Sequence, residues 1–221
     1  MDECSVAAYL DQLRLEHGAL EPSFPTISAY GENAALCHYH AVPGHASSRQ
    51  ARGLYLVDSG GQYYEGTTDI TRTIALGPVT DEEKEHYTLV LMSMLRLGHV
   101  KFLEGCTGLS LDYAAREPFW KRGLDFNHGT GHGVGYLLNV HERPIGIRYR
   151  VVPERQENTP FMPGMVCSDE PGIYIEGSHG IRTENLIYCK KDEKTDYGQF
   201  LSFEYLTYVP IDLKPVDASL M

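Results

Sequence analysis

Apolar residues recur along the chain with two periods. Residues 3–17 place Val6, Ala7, Leu10 and Leu13 on one face at helical spacing, which predicts an amphipathic helix. Leu54–Asp58 (LYLVD) and residues 67–76 (TTDITRTIAL) are rich in apolar and β-branched residues and predict strands. Between them, Ser59-Gly60-Gly61 predicts a turn, with Gln62–Glu65 returning as a hairpin. Residues 21–28 carry two prolines and predict a loop entering a strand. Ala35–His40 is a short apolar run that predicts another strand, and residues 44–53 read as a loop.

Farther along, Thr80-Asp81-Glu82-Glu83 has the spacing of a capping box, with Thr80 as N-cap and Glu83 reaching back to it. It predicts a long helix to about Leu103, followed by a second from Ser110 to Lys121 with Pro118 inside it. Asn127–Gly135 (NHGTGHGVG) holds four glycines in nine residues, which excludes a regular helix. Residues 165–175, 181–189 and 201–209 predict three closing strands. Strands, then helices, then strands predict an α+β fold, with helices over one face of a mainly antiparallel sheet. No repeat or interdomain linker divides the chain, so residues 1–221 are expected to form one domain.

Charge narrows the partners. Lys and Arg number 19 against 30 Asp and Glu, a net charge of −11. Such a surface argues against nucleic acid or an anionic membrane as partner. The five cysteines are widely spaced and form no CxxC pair, which fits a reducing compartment better than a disulfide framework. The N-terminal stretch MDECSVAAYLDQL is acidic and lacks the basic start of a signal peptide, and no apolar run reaches membrane-spanning length, so a cytoplasmic location is expected.

Five segments then put polar residues where a core sequence would be apolar. Asp58 ends LYLVD, Asp69 sits within TTDITRT, His132 lies in HGTGHGVG, Glu170 in SDEPG and Glu184 in IRTEN. Taken singly, each has an ordinary reading: Asp58 and Glu170 as turn residues, Asp69 as an edge charge, His132 as a loop residue, Glu184 as the partner of Arg182. Taken together they suggest more, because a carboxylate inside a strand costs several kcal/mol unless it is paired or metal-bound. Four carboxylates and an imidazole suit a shared site for divalent cations, with oxygen-rich ligation favouring Mn²⁺ over Co²⁺ or Zn²⁺. Two such ions about 3.5–4 Å apart would balance the four negative charges and could share a bridging hydroxide.

In order, VDSGGQYYEGTTDITRT, HGTGHGVG, SDEPGIY and IRTEN resemble the metal-binding segments of the M24-type metallopeptidases, the methionine aminopeptidases, prolidases and Xaa-Pro aminopeptidases. SFPTISAYGENAALCHYHAVP, HGTGHGVGYLLNVHERP and GQFLSFEYLTYVPI are most similar to the eukaryotic cytosolic Xaa-Pro aminopeptidases. In HGTGHGVGYLLNVHERP, the nine-residue step from His132 to His141 is longer than is usual in prolidases.

The resemblance implies a pita-bread fold. It implies that Asp58 chelates one metal, that Asp69 and Glu184 bridge two, and that His132 and Glu170 hold the second, with Glu170 also steering protons. It implies substrate-facing roles for His38, His128 and His141 in holding the scissile carbonyl or the proline and in protonating the leaving nitrogen; His40, two residues from His38, is the competing candidate. The expected activity is removal of an N-terminal residue that precedes proline. The alternatives are a prolidase acting on Xaa-Pro dipeptides and a non-catalytic binding module on the same fold. Members of the family are longer, so the chain is expected to be a catalytic domain truncated at both ends, which puts homodimerisation in doubt.

Overall fold

A computed structural model describes residues 1–221. Helix α1 (Glu3–Glu16) opens the chain, with Asp2 as its N-cap and a reciprocal capping box with Ser5. Strands β1 (Glu21–Pro22), β2 (Ile27–Tyr30), β3 (Leu54–Ser59), β4 (Gly61–Tyr63), β5 (Gly66–Thr67) and β6 (Ile70–Ala75) precede α2 (Asp81–Gly98). Strand β7 (Lys101–Leu103) leads to α3 (Gly108–Trp120). There follow β8 (Gly131–Gly133), β9 (Glu142–Ile147), β10 (Val166–Asp169), β11 (Gly172–Ile175), β12 (His179–Arg182), β13 (Asn185–Thr195) and β14 (Gly198–Tyr205).

The strands form a six-stranded sheet in the order β7-β14-β13-β10-β8-β9, a three-stranded sheet β2-β3-β6, a small sheet β1-β4-β5 and the hairpin β11-β12. Every strand pairing is antiparallel, as the α+β reading requires. Helix α2 bridges the two larger sheets. Its Leu97 joins Leu111 and Ala115 of α3 in a core with Ile187, Leu201 and Phe203 of the six-stranded sheet. Its Tyr87, Leu89 and Val90 join Phe119 of α3 in a second core with Leu54, Ile173 and Ile181. The helix starts where its local chemistry dictates: the Glu83 amide donates to the Thr80 hydroxyl, and the Thr80 amide donates to the Glu83 carboxylate.

Several expectations give way to tertiary structure. Ala35–His40 is not a strand. Gly31–Ala35 forms a 3₁₀ turn, and the Leu36 and Tyr39 amides donate to Asn33 and Leu36, which leaves too few free donors to start a ladder. Gln62 does not return along β3; it pairs with Glu21 and Thr67 instead. The intervening Gly60 explains why, since a Cβ there would lie 1.9 Å from the Thr68 carbonyl oxygen, so the chain presses against Thr68 and runs on. The long helix stops at Gly98 rather than Leu103, and residues 101–103 pair with 200–202 as β7. The last predicted strand ends at Tyr205 and not at 209.

The most consequential differences are three breaks. The run 67–76 is interrupted at Thr68-Asp69, 165–175 at Glu170-Pro171 and 181–189 at Thr183-Glu184. Proline contributes no N–H to a ladder, which accounts for the break at Pro171. At each break the chain leaves one sheet and enters another. Asp69, Glu170 and Glu184 therefore stand at joints between sheets, and only Asp58 and His132 belong to strands.

Candidate active site

These joints open onto one cavity of about 640 Å³, lined by Asp58, Asp69, His132, Glu170 and Glu184 together with His38, His128 and His141. His40 lines it as well. Asp69, His132 and Glu184 each place a ligand-type atom within 4.8 Å of the others. His132 Nε2 stands 3.2 Å from Glu170 Oε1 and 3.4 Å from Asp69 Oδ2. Its strand makes this possible: β8 slips register between His132 and Gly133, and a Cβ at Gly131 would lie 2.0 Å from the Ser168 carbonyl oxygen, so only glycine admits the close approach of β10. The Ser168 hydroxyl then ties the two elements together, accepting from the His132 amide at 3.0 Å and donating to Glu170 Oε1 at 3.0 Å. His132 Nδ1–H donates to the Gly133 carbonyl at 2.9 Å, a bond that directs Nε2 at the carboxylates.

Asp58 lies on β3 opposite Thr71 of β6. Its Oδ2 accepts from Arg182 Nη2 at 2.6 Å, so Arg182 serves Asp58 and not the neighbouring Glu184. Arg182 is 3% exposed, and its other nitrogens donate to the Tyr174 hydroxyl at 2.8 Å and the Thr71 hydroxyl at 3.1 Å. The Thr71 hydroxyl donates in turn to Glu184 Oε2 at 2.8 Å, and the Tyr174 hydroxyl donates to His128 Nε2 at 2.8 Å. His128 is thus wired through Tyr174 and Arg182 to Asp58. Neither Arg182 nor Tyr174 was expected at the site, although both fall inside quoted motifs, IRTEN and SDEPGIY. Arg155 and Glu157 also line the cavity.

The electrostatics are those of crowded carboxylates. Burial pushes Asp58 up to about 7 despite Arg182, with Asp69 and Glu170 adding to the rise. Burial also lifts Glu184 well above the usual carboxylate range, and Asp69, Glu170 and Asp58 reinforce it. Burial works to raise Glu170 too, but its bond to His132 prevails and holds it at about 2. His132 rises well above the ordinary histidine value because Asp69 and Glu170 outweigh its burial. His128 is pushed down to about 4 by burial and so is neutral at pH 7. His141 is lowered by burial, then by His132 and His38. Its ring lies 4.1 Å from that of His132, centroid to centroid. His38 is among the groups that lower His141, and both His38 and His40 line the cavity.

The donor set suits divalent cations. Asp58 Oδ1 and Glu184 Oε1 are buried without a hydrogen-bond donor, a costly arrangement for carboxylate oxygens unless a cation completes them.

Comparison with known proteins gives this geometry a context. The sequence profile of metallopeptidase family M24 matches residues 1–191. The chain is 47% identical over its whole length to the protein named "Probable Xaa-Pro aminopeptidase P" of Botryotinia fuckeliana, covering 34% of that protein. Among solved structures, it superimposes with a TM-score of 0.90 and 40% identity on an X-prolyl aminopeptidase from Caenorhabditis elegans, described as a cytosolic enzyme with a di-nuclear active site, covering 100% of this chain and 35% of that one. The TM-score is 0.77, at 34% identity, to the prolidase from Pyrococcus furiosus, over 94% of this chain and 56% of that one. The chain thus spans about a third of the length of the curated relatives it matches. Their shared architecture is the pita-bread fold, and the α+β arrangement of β1–β14 and α1–α3 is an instance of it.

Proposed function

The chain belongs to metallopeptidase family M24, and on that premise we propose that residues 1–221 form the catalytic unit of a metal-dependent aminopeptidase acting on peptides with proline in second place. The observation that carries this reading is the meeting of Asp58, Asp69, His132, Glu170 and Glu184 in one cavity, with donor-less carboxylate oxygens among them. These five residues would hold two divalent ions, Mn²⁺ in the first place. Bound there, such ions supply Lewis-acid polarisation of the scissile carbonyl and a lowered pKa for water.

The protein's own groups do the rest. Glu170, held ionised, accepts a proton from the attacking water and is oriented for this by the Ser168 hydroxyl. His128 and His141, both lowered by burial, are neutral at pH 7, and the proton transfer is assigned to His141. His141 is assigned the relay: it takes up the proton that Glu170 removes from the water and delivers it to the prolyl nitrogen, which cannot leave without one. His128, whose Nε2 accepts from Tyr174 and whose Nδ1–H donates to the Gly129 carbonyl, is assigned an orienting role beside the carbonyl oxygen, and His38 the proline ring. The apolar part of the cavity wall, Phe24, Pro25, Ile27 and Phe126, is suited to the substrate's aliphatic surface.

The five cysteines are free and the Caenorhabditis elegans X-prolyl aminopeptidase is described as cytosolic, which supports a cytoplasmic setting. The deciding experiment is release of the first residue from an Xaa-Pro-Xaa tripeptide after metal is stripped and Mn²⁺ restored. Activity that returns with Mn²⁺ and vanishes in Asp69→Ala is expected. Cleavage of Xaa-Pro dipeptides alone would make the protein a prolidase, and failure to bind metal would defeat the reading.

A further inference from the structure

The stretch from Leu36 to Ser47 brings Cys37, His38 and His40 to the cavity and contains no strand or helix. A segment without a ladder of its own needs some other restraint if its side chains are to keep one geometry. The restraint here is one buried carboxylate. Glu3, in the first turn of α1, is fully buried, and its two oxygens gather donors from all along this stretch and its approach. Oε1 accepts from the Tyr30 amide at 2.7 Å and from Asn33 Nδ2 at 3.0 Å. Oε2 accepts from the Tyr39 hydroxyl at 2.8 Å, from the Ser47 amide at 2.7 Å and from Asn33 Nδ2 at 3.1 Å.

Tyr39 is the informative member. It sits between His38 and His40, yet it is absent from the cavity wall that both of them line. Its ring packs instead on the cluster Ile27, Ala29, Ala34 and Leu56, and its hydroxyl reaches Glu3. Fixing the middle residue inward turns its two neighbours outward, toward the cavity.

We propose that Glu3 and Tyr39 are positioning residues, whose hydrogen bond holds His38 on the wall of the cavity that His141 also lines. This rests on the aminopeptidase reading above, and it adds to that reading a cause for the placement of a histidine that the chain's regular structure does not supply. A buried carboxylate with matched donors could stabilise the fold and do nothing more; the two roles differ in what they do to His38.

Tyr39→Phe is the gentlest probe, because it keeps the ring and removes one hydroxyl. Glu3→Gln is the second, because an amide puts its own donors among the donors of Tyr30, Asn33, Tyr39 and Ser47. In Tyr39→Phe, amide hydrogen exchange across residues 37–46 is expected to quicken by about tenfold while α1 and β3 stay as protected as before, since a hydrogen bond to a charged group is lost. With Mn²⁺ stoichiometry intact, kcat/KM on the tripeptide is expected to fall several-fold. In a His38→Ala background, Tyr39→Phe is expected to cost nothing further. An equal loss in both backgrounds, or unchanged exchange across 37–46, overturns the proposal. A wild-type chain that binds two metals and cuts no tripeptide defeats the aminopeptidase reading instead, and the exchange comparison still decides whether the anchor exists.

Discussion

A guanidinium survives in a protein interior only when its donors are matched, and Arg182 is matched on Asp58, Tyr174 and Thr71. Replacing it with Met leaves Asp58 buried without its counter-charge. In the metal-free chain Asp58 then takes up a proton, and the loss of the donor to Asp58, Tyr174 and Thr71 is expected to cost about 1–3 kcal/mol in urea unfolding. Glu184→Gln should behave in the opposite sense. Burial already favours the protonated form of Glu184, so an uncharged isostere is expected to leave the metal-free chain as stable or slightly more stable, while titration calorimetry shows Mn²⁺ binding lost. At this scale the sequence was informative about which residues line the cavity and less so about their partners. The motif segments singled out Asp58, Asp69, His132, Glu170 and Glu184, and all of them line it. The ordinary reading of Glu184 as the partner of Arg182 fails for a physical reason. A period of two puts Arg182 and Glu184 on one face of a strand, but the chain breaks at Thr183, and Arg182 is left facing β3.

Elements whose ends are set by local chemistry were legible, and those set by distant partners were not. The Thr80–Glu83 box was readable from four residues, and Thr80→Ala is expected to destabilise the chain by about 1 kcal/mol in a urea titration. The breaks at Asp69, Glu170 and Glu184 depend on which sheet receives the next strand, and no window of neighbouring residues contains that information. One contact between elements yields a pH prediction. His86 of α2 and His179 of β12 are buried and share a hydrogen bond of 2.9 Å, and His179 also bonds the Ser178 hydroxyl. Burial lowers both imidazoles, although Glu82, with Glu85 at His86 and Glu83 at His179, acts to raise them. Below the unfolded value of about 6.5, an unfolded chain takes up protons that the folded pair declines, so stability falls as pH drops through 6.5 toward 5. His86→Gln should flatten that slope when unfolding is measured at pH 7 and 5.5.

For the molecule as a whole, the order of strands and helices was enough to indicate an α+β fold. The division into four sheets was not, because it follows from pairings far apart in sequence, such as β3 with β6 beside β12, or β7 with β14. Ligand linkage predicts that Mn²⁺ raises the melting temperature of the chain. A concentration one hundred times Kd would add about 2.7 kcal/mol per site, and this gain should disappear in Asp69→Ala, as calorimetric melting would show. The carboxylates at the three joints give that linkage a mechanical side. Asp69, Glu170 and Glu184 are the seams where one panel of backbone is stitched to the next, and cations drawn between them would work as rivets through overlapping plates. Chelation would then do more than silence chemistry: it would let the panels slide against one another while each kept its own weave.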